Sequence, residues 1–184
     1  MSQDSVEGSG GNGEVQRLDP SQAQYLSDQL KSEQNLGFGI MAGAAAALAG
    51  AGLWAAITVT TGYQIGFMAI GIGILVGFGV RKFGRGIETP FAVTGGVLAL
   101  LGCAVGNLLA ACGLLAKQEE IPFLSVLGAL DPAFAIELMK ALFSPMDLLF
   151  YGIAVWEGCK LSLRRVTEVE LKQMLTGSGG AAGG

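Results

Sequence analysis

Four polar side chains stand inside otherwise apolar stretches, and each has a chemistry to offer. Asp147, Glu157 and Lys160 fall in "PMDLLFYGIAVWEGCKLSL", and Asn107 falls in "LLGCAVGNLLA". Ionisable groups inside a membrane-crossing segment are costly and commonly mark a proton or cation path, so these four are the candidate polar or transport residues. Each also has a plainer use. Ser144-x-x-Asp147 has capping-box spacing, with the carboxylate accepting from first-turn N–H groups. Glu157 can pair with Lys160 one turn on. Asn107 can hydrogen-bond a neighbouring helix, or line a shallow polar cleft with Thr58, Thr60, Thr61 and Gln64.

A second constellation is the glycine run "GYQIGFMAIGIGILVGFGVRKFGRG", which holds eight glycines in residues 62–86. Glycine at this density can cradle a phosphate or let two membrane helices approach closely. A phosphate loop needs a strand before the glycines and a helix opening after them. Gly71-x-Gly73-x-x-x-Gly77 misses both the dinucleotide and the Walker spacings, and no lysine or hydroxyl partner stands beside it. Helix packing fits better, because small residues recur at four-residue intervals. Gly39, Gly43, Ala47 and Ala51 form one such row, and Gly62 with Gly66, Gly73 with Gly77, and Gly102, Gly106 and Ala110 form others. Lipid gives helices no hydrophobic reason to associate, so close backbone approach and dispersion must supply it.

Enzymatic and metal chemistry find little to work with. The chain has no histidine, and Cys103, Cys112 and Cys159 sit singly in apolar surroundings with no C-x-x-C pair. Such thiols resist ionisation and are poor ligands. There are no carboxylates paired at a catalytic spacing and no nucleophile motif. The expectation is a non-enzymatic protein with no cofactor, metal or nucleic-acid partner.

The elements that must position these residues follow from composition. The chain is 51% hydrophobic and only 14% charged, against about 25% charged in a soluble domain. The apolar residues concentrate between Leu36 and Leu163, in blocks too long for alternating strands. Residues 1–17 read as a disordered acidic tail, since their composition cannot bury enough surface to order them. Residues 18–35 read as a short amphipathic cytoplasmic helix, with Asp19 as cap, Pro20 at the first position, and Tyr25, Leu26 and Leu30 near one face. A transmembrane domain over 36–164 follows, with spans at about 36–58, 62–80, 90–116 and 145–163. The first apolar block would act as an uncleaved anchor. Residues 132–143 form an interfacial or re-entrant helix carrying Glu137 and Lys140, after a ten-residue run from Ile121 too short to cross. Residues 165–184 close the chain as a helix end and a flexible Gly-rich tail. Trp54, Tyr63 and Trp156 read as interface anchors. The fold class is therefore all-α: an integral membrane four-helix bundle with one extra interfacial or re-entrant helix.

Orientation follows from Arg81, Lys82 and Arg85 between the second and third spans, because positive residues stay cytoplasmic. With both termini inside, nine of the eleven Lys and Arg residues are cytoplasmic, and only Lys117 and Lys140 lie outside. The basic turn can touch anionic headgroups, though three charges are fewer than the usual cluster.

"GYQIGFMAIGIGILVGFGVRKFGRGIE", "LLGCAVGNLLA" and "DLLFYGIAVWEGCKLS" resemble recurring segments of a family of small four-span bacterial inner-membrane proteins with no known activity. The likeness spans roughly Leu36 to Leu163. It implies a bacterial inner-membrane setting. Some relatives carry a cytoplasmic zinc ribbon before the spans, and this chain has no cysteine there. The leading functional expectation is a scaffold or subunit of a membrane complex, a homo-oligomer or an assembly with other membrane proteins, formed through small-residue helix faces. The alternative is a pore or small-solute or ion transporter.

Overall fold

The structure, a computed structural model, describes residues 20–63, 65–142 and 144–165. The acidic tail expected over 1–17, Gln64 and the Gly-rich C-terminal tail lie outside these residues. Every element among the described residues is helical: α1 (Pro20–Ser32), α2 (Leu36–Thr61), α3 (Phe67–Gly84), α4 (Thr89–Gln118), α5 (Phe123–Gly128), α6 (Pro132–Leu142) and α7 (Pro145–Ser162). Three of them, α2, α3 and α4, are long and apolar enough to cross a membrane, which makes this an integral membrane protein. Helix α7 has the length but carries Asp147, Glu157 and Lys160.

Local signals set the boundaries. Asn35 caps α2, its side chain accepting from the Phe38 N–H at 3.1 Å. Gly62 ends α2 in a left-handed conformation (φ 74°), its N–H reaching the Thr58 carbonyl at 2.8 Å. That corrects the sequence reading of Gly62 as a packing residue at the start of the second span. A Cβ there would meet nothing within 4 Å, and α3 begins five residues later. Composition hid the break, because glycine serves equally as a helix end and as a packing residue. Pro90 opens α4. Beyond α4, Glu120 turns left-handed (φ 55°) and the Ile121 N–H closes on the Ala116 carbonyl at 3.0 Å. This reverses the chain into α5, a short helix that the reading of an apolar run from Ile121 did not resolve.

Helices α2, α3, α4 and α7 pack side by side, α4 touching the other three. Helix α4 is the most buried, as its central place requires. Its glycines and alanines face α2 on one side and α7 on the other. The start of α2, the end of α3, the start of α4 and the end of α7 lie together: Gly39 abuts Gly84 and Phe91, and the Arg164 N–H bonds the Gly86 carbonyl at 2.8 Å. Arg81, Lys82 and Arg85 sit at this end, called here the basic end. At the opposite end α5 and α6 fold against α4, where Val126 packs with Cys112 and Ala116. Helices α6 and α7 meet at 105°.

On α1, Leu26 and Leu30 are buried one turn apart, but Tyr25 is 55% exposed. It stands about 100° round the helix from Leu26, off the buried line.

Candidate functional site

The polar candidates fall into two separate groups. The first is a layer in the half of the helix group away from the basic end. Asn107 is buried in α4, and the Tyr151 hydroxyl of α7 donates to the Cys103 carbonyl at 3.3 Å while also interacting with Asn107. Asp147 is buried one turn before Tyr151. It completes a capping box, accepting from the Ser144 N–H at 2.9 Å, while Ser144 Oγ accepts from Met146. Its carboxylate thereby serves the orphan donors of a helix start. Thr58 is wholly buried, but Thr60 and Thr61 are exposed and donate back to carbonyls of their own helix. The structure does not join Asn107 and the threonines into a cleft. The Thr60 and Thr61 hydroxyls have nearer acceptors one turn back, and the Thr58 hydroxyl is buried with no hydrogen-bond partner among the described residues.

The second group is Glu157 with Lys160, 3.9 Å apart near the basic end of α7, Lys160 half exposed. Ten residues, about 15 Å along a helix axis, separate Asp147 from Glu157. Between them lies Ala154, wholly buried, with the Gly73 backbone pressed against it. Ala99 and Val76, also wholly buried, fill the adjoining turns of α4 and α3. The two polar groups are thus divided by a close-packed apolar level.

Gly73 and Gly77 build the α3–α7 contact at that level, and other glycines make similar contacts above and below it. A Cβ on Gly73 would lie 2.8 Å from the Ala154 Cα, and one on Gly77 2.7 Å from the Leu161 Cβ. Gly43 faces Val80 and Leu98, Gly102 faces Ile72 and Ala47, and Gly106 faces Trp54 and Ala51. Gly66 lies under the Phe150 ring, and Gly39 lies against Gly84. Seven of the eight glycines named from the sequence therefore sit at contacts within the chain. Trp54 is another correction: read as an interface anchor, it is fully buried on the face of α2 turned to Gly106, whereas Tyr63 and Trp156 are exposed.

Sequence reasoning missed the face of α7. Ala154, Gly158 and Ser162 recur every four residues; Gly158 and Ser162 meet Gly95 of α4, Gly158 also meets Ala99, and Ala154 meets Gly73 of α3. The signal was present as small residues at four-residue spacing, but three charged residues in the same segment drew attention to ion chemistry instead.

Recesses open on the surface at both ends of the helix group. One, of about 510 Å³, lies between α2 and α4 at the end away from the basic turn. It is apolar, lined by Gly52, Ala56, Leu109 and Phe123 among others, with Lys117 at its edge donating to the Val59 carbonyl at 2.9 Å. The other, of about 780 Å³, lies at the basic end and is lined by Arg81, Lys82, Arg85, Arg164 and Arg165 with Glu33 and Phe78. Among the described residues no three of Cys, Asp and Glu gather as a metal site.

No protein-family model, curated protein or solved structure matches the chain. The functional reading therefore rests on geometry.

Proposed function

We propose that the protein is a non-enzymatic scaffold or subunit of a membrane complex, crossing the bilayer four times. The observation that carries this reading is the closed apolar level between the polar layer and the Glu157–Lys160 pair. An ion or solute moving between them would have to part wholly buried Ala99, Val76 and Ala154. Helix α7 counts as the fourth span because its small-residue face packs against α3 and α4, and because Asp147 and Lys160 lie in its end turns while Glu157 is paired with Lys160. Asp147 caps the start, and Lys160 can carry its ammonium towards headgroups. The 105° bend then lays α6 near the membrane plane.

Four crossings bring both termini to one side. Arg81, Lys82, Arg85, Arg164 and Arg165 share one end, so that end is cytoplasmic in this reading. A reporter fused after Gly86 that read exoplasmic would reverse it. Assembly through small-residue faces then falls to glycines still open to a neighbour. Gly52 on α2, Gly71 on α3 and Gly152 on α7 meet nothing within 4 Å.

The test is purification in mild detergent, with stoichiometry and co-purifying proteins measured, followed by reconstitution. We expect a defined oligomer or complex and no ion or proton flux, with or without Glu157→Gln. A reproducible flux that Glu157→Gln abolishes would replace the scaffold with a transporter.

A further inference from the structure

We infer that the recess at the basic end binds the headgroup of a phospholipid carrying two or more negative charges. The sequence places three cations in one turn. The fold adds two more from about eighty residues away, because the Arg164 N–H is tied to the Gly86 carbonyl at 2.8 Å. Five cations from the end of α3 and the end of α7 then line one recess of about 780 Å³.

Among the described residues that line the recess, one is a carboxylate. Glu33 Oε2 accepts from Arg164 Nη1 at 2.8 Å and lies 3.9 Å from Arg85 Nη1. It holds two guanidinium groups in register yet cancels a single charge, so the described lining, five positive groups and one negative, carries a formal charge of +4. Like charges gathered this closely repel one another, and a multivalent anion relieves the repulsion better than several single ones. Guanidinium groups suit phosphate oxygens by their paired donors.

Phe78 decides between a free anion and a lipid. Its ring also lines the recess, is 51% exposed, and carries the Arg81 guanidinium 4.8 Å from its centroid. An apolar ring beside clustered cations, at the end of membrane-crossing helices, matches an amphiphile: phosphates among the arginines, glycerol and first acyl carbons on the ring. Basic pockets between helices at a membrane surface bind such headgroups for this reason.

The test uses full-length protein in detergent, titrated with a diphosphate four-chain glycerophospholipid, with zwitterionic phosphatidylcholine, or with inorganic pyrophosphate, and read by thermal shift and by direct binding. We expect the diphosphate lipid to raise the melting temperature, phosphatidylcholine to leave it unchanged, and pyrophosphate to give a small part of the shift. Arg164→Gln with Arg165→Gln should weaken lipid binding about thirtyfold, near 1 kcal/mol for each basic residue. The Arg→Lys pair should retain most of it, which guards against a folding defect. Lys117→Gln with Lys140→Gln removes two charges elsewhere and should leave it intact. Equal binding by the glutamine and unmodified proteins, or no shift with the diphosphate lipid, would overturn the inference. A full shift from pyrophosphate alone would overturn the lipid in favour of a soluble anion.

Discussion

Near the basic end, helices are held together by what their residues lack; in the other half, by what their residues carry. Gly158 of α7 lies so near Gly95 of α4 that an added Cβ would stand 2.8 Å from the Gly95 carbonyl oxygen, and one added on Gly77 would stand 3.1 and 3.2 Å from the Gly158 and Glu157 carbonyl oxygens. Backbone meets backbone there, and dispersion does the holding. Away from that end, side chains bridge the gaps: the Phe150 ring covers Gly66, and the Tyr151 hydroxyl reaches the Cys103 carbonyl. In lipid neither contact is driven by water, so packing and hydrogen bonds must do the work between them. The half built on absent atoms is broken by adding atoms. The half built on present ones is weakened by removing them.

Gly73→Leu carries the largest expected effect. Its side chain has only the Ala154 backbone to enter, so α7 must move off α3. We expect a loss of about 3 kcal/mol, the upper range for overpacking, or a protein that no longer runs as a single species in detergent. Unchanged thermal unfolding would mean that α7 does not pack there. Tyr151→Phe is intermediate: it deletes one hydroxyl and leaves the ring, and we expect about 0.6 kcal/mol, the mean for such bonds within membranes. A loss as large as that of Gly73→Leu would erase the contrast between the halves. Gly71→Leu is the smallest. Gly71 is two residues, about half a turn, from Gly73 yet meets nothing within 4 Å, so stability should stay within about 0.5 kcal/mol. A large loss would place a packed neighbour where open surface is described.

Much of this was legible in the chain. Helices α2 and α4 stood out because the apolar runs at about 36–58 and 90–116 are long and contain no charge. The glycine spacing pointed to close approach, and Gly73 and Gly77 lie against α7, but spacing along one helix cannot name the helix opposite. The partner face on α7 was masked by its own charges. Gly62 misled because a cap and a packing residue share the same letter. For the recess, Arg81, Lys82 and Arg85 are neighbours in sequence and were read together. Arg164 and Arg165 joined them only through the return of α7 to the α3–α4 turn, which no local pattern encodes.

Helix lengths have a consequence for the bilayer itself. Helices α3 and α7 have 18 residues each, and α2 and α4 have 26 and 30. At 1.5 Å per residue these are about 27 Å for the short pair and about 39 and 45 Å for the long pair. The short pair touch each other, as do the long pair. On the four-span reading the protein is therefore a wedge in thickness, with one flank below the roughly 30 Å of an average hydrocarbon core and the other above it. Lipid beside α3 and α7 must thin by about 3 Å, while the long flank tilts or projects, at a fraction of a kcal/mol per Å. A neighbour with equally short helices would relieve that deformation on one flank alone, so membrane elasticity gives the molecule a preferred side without any contact residue choosing it.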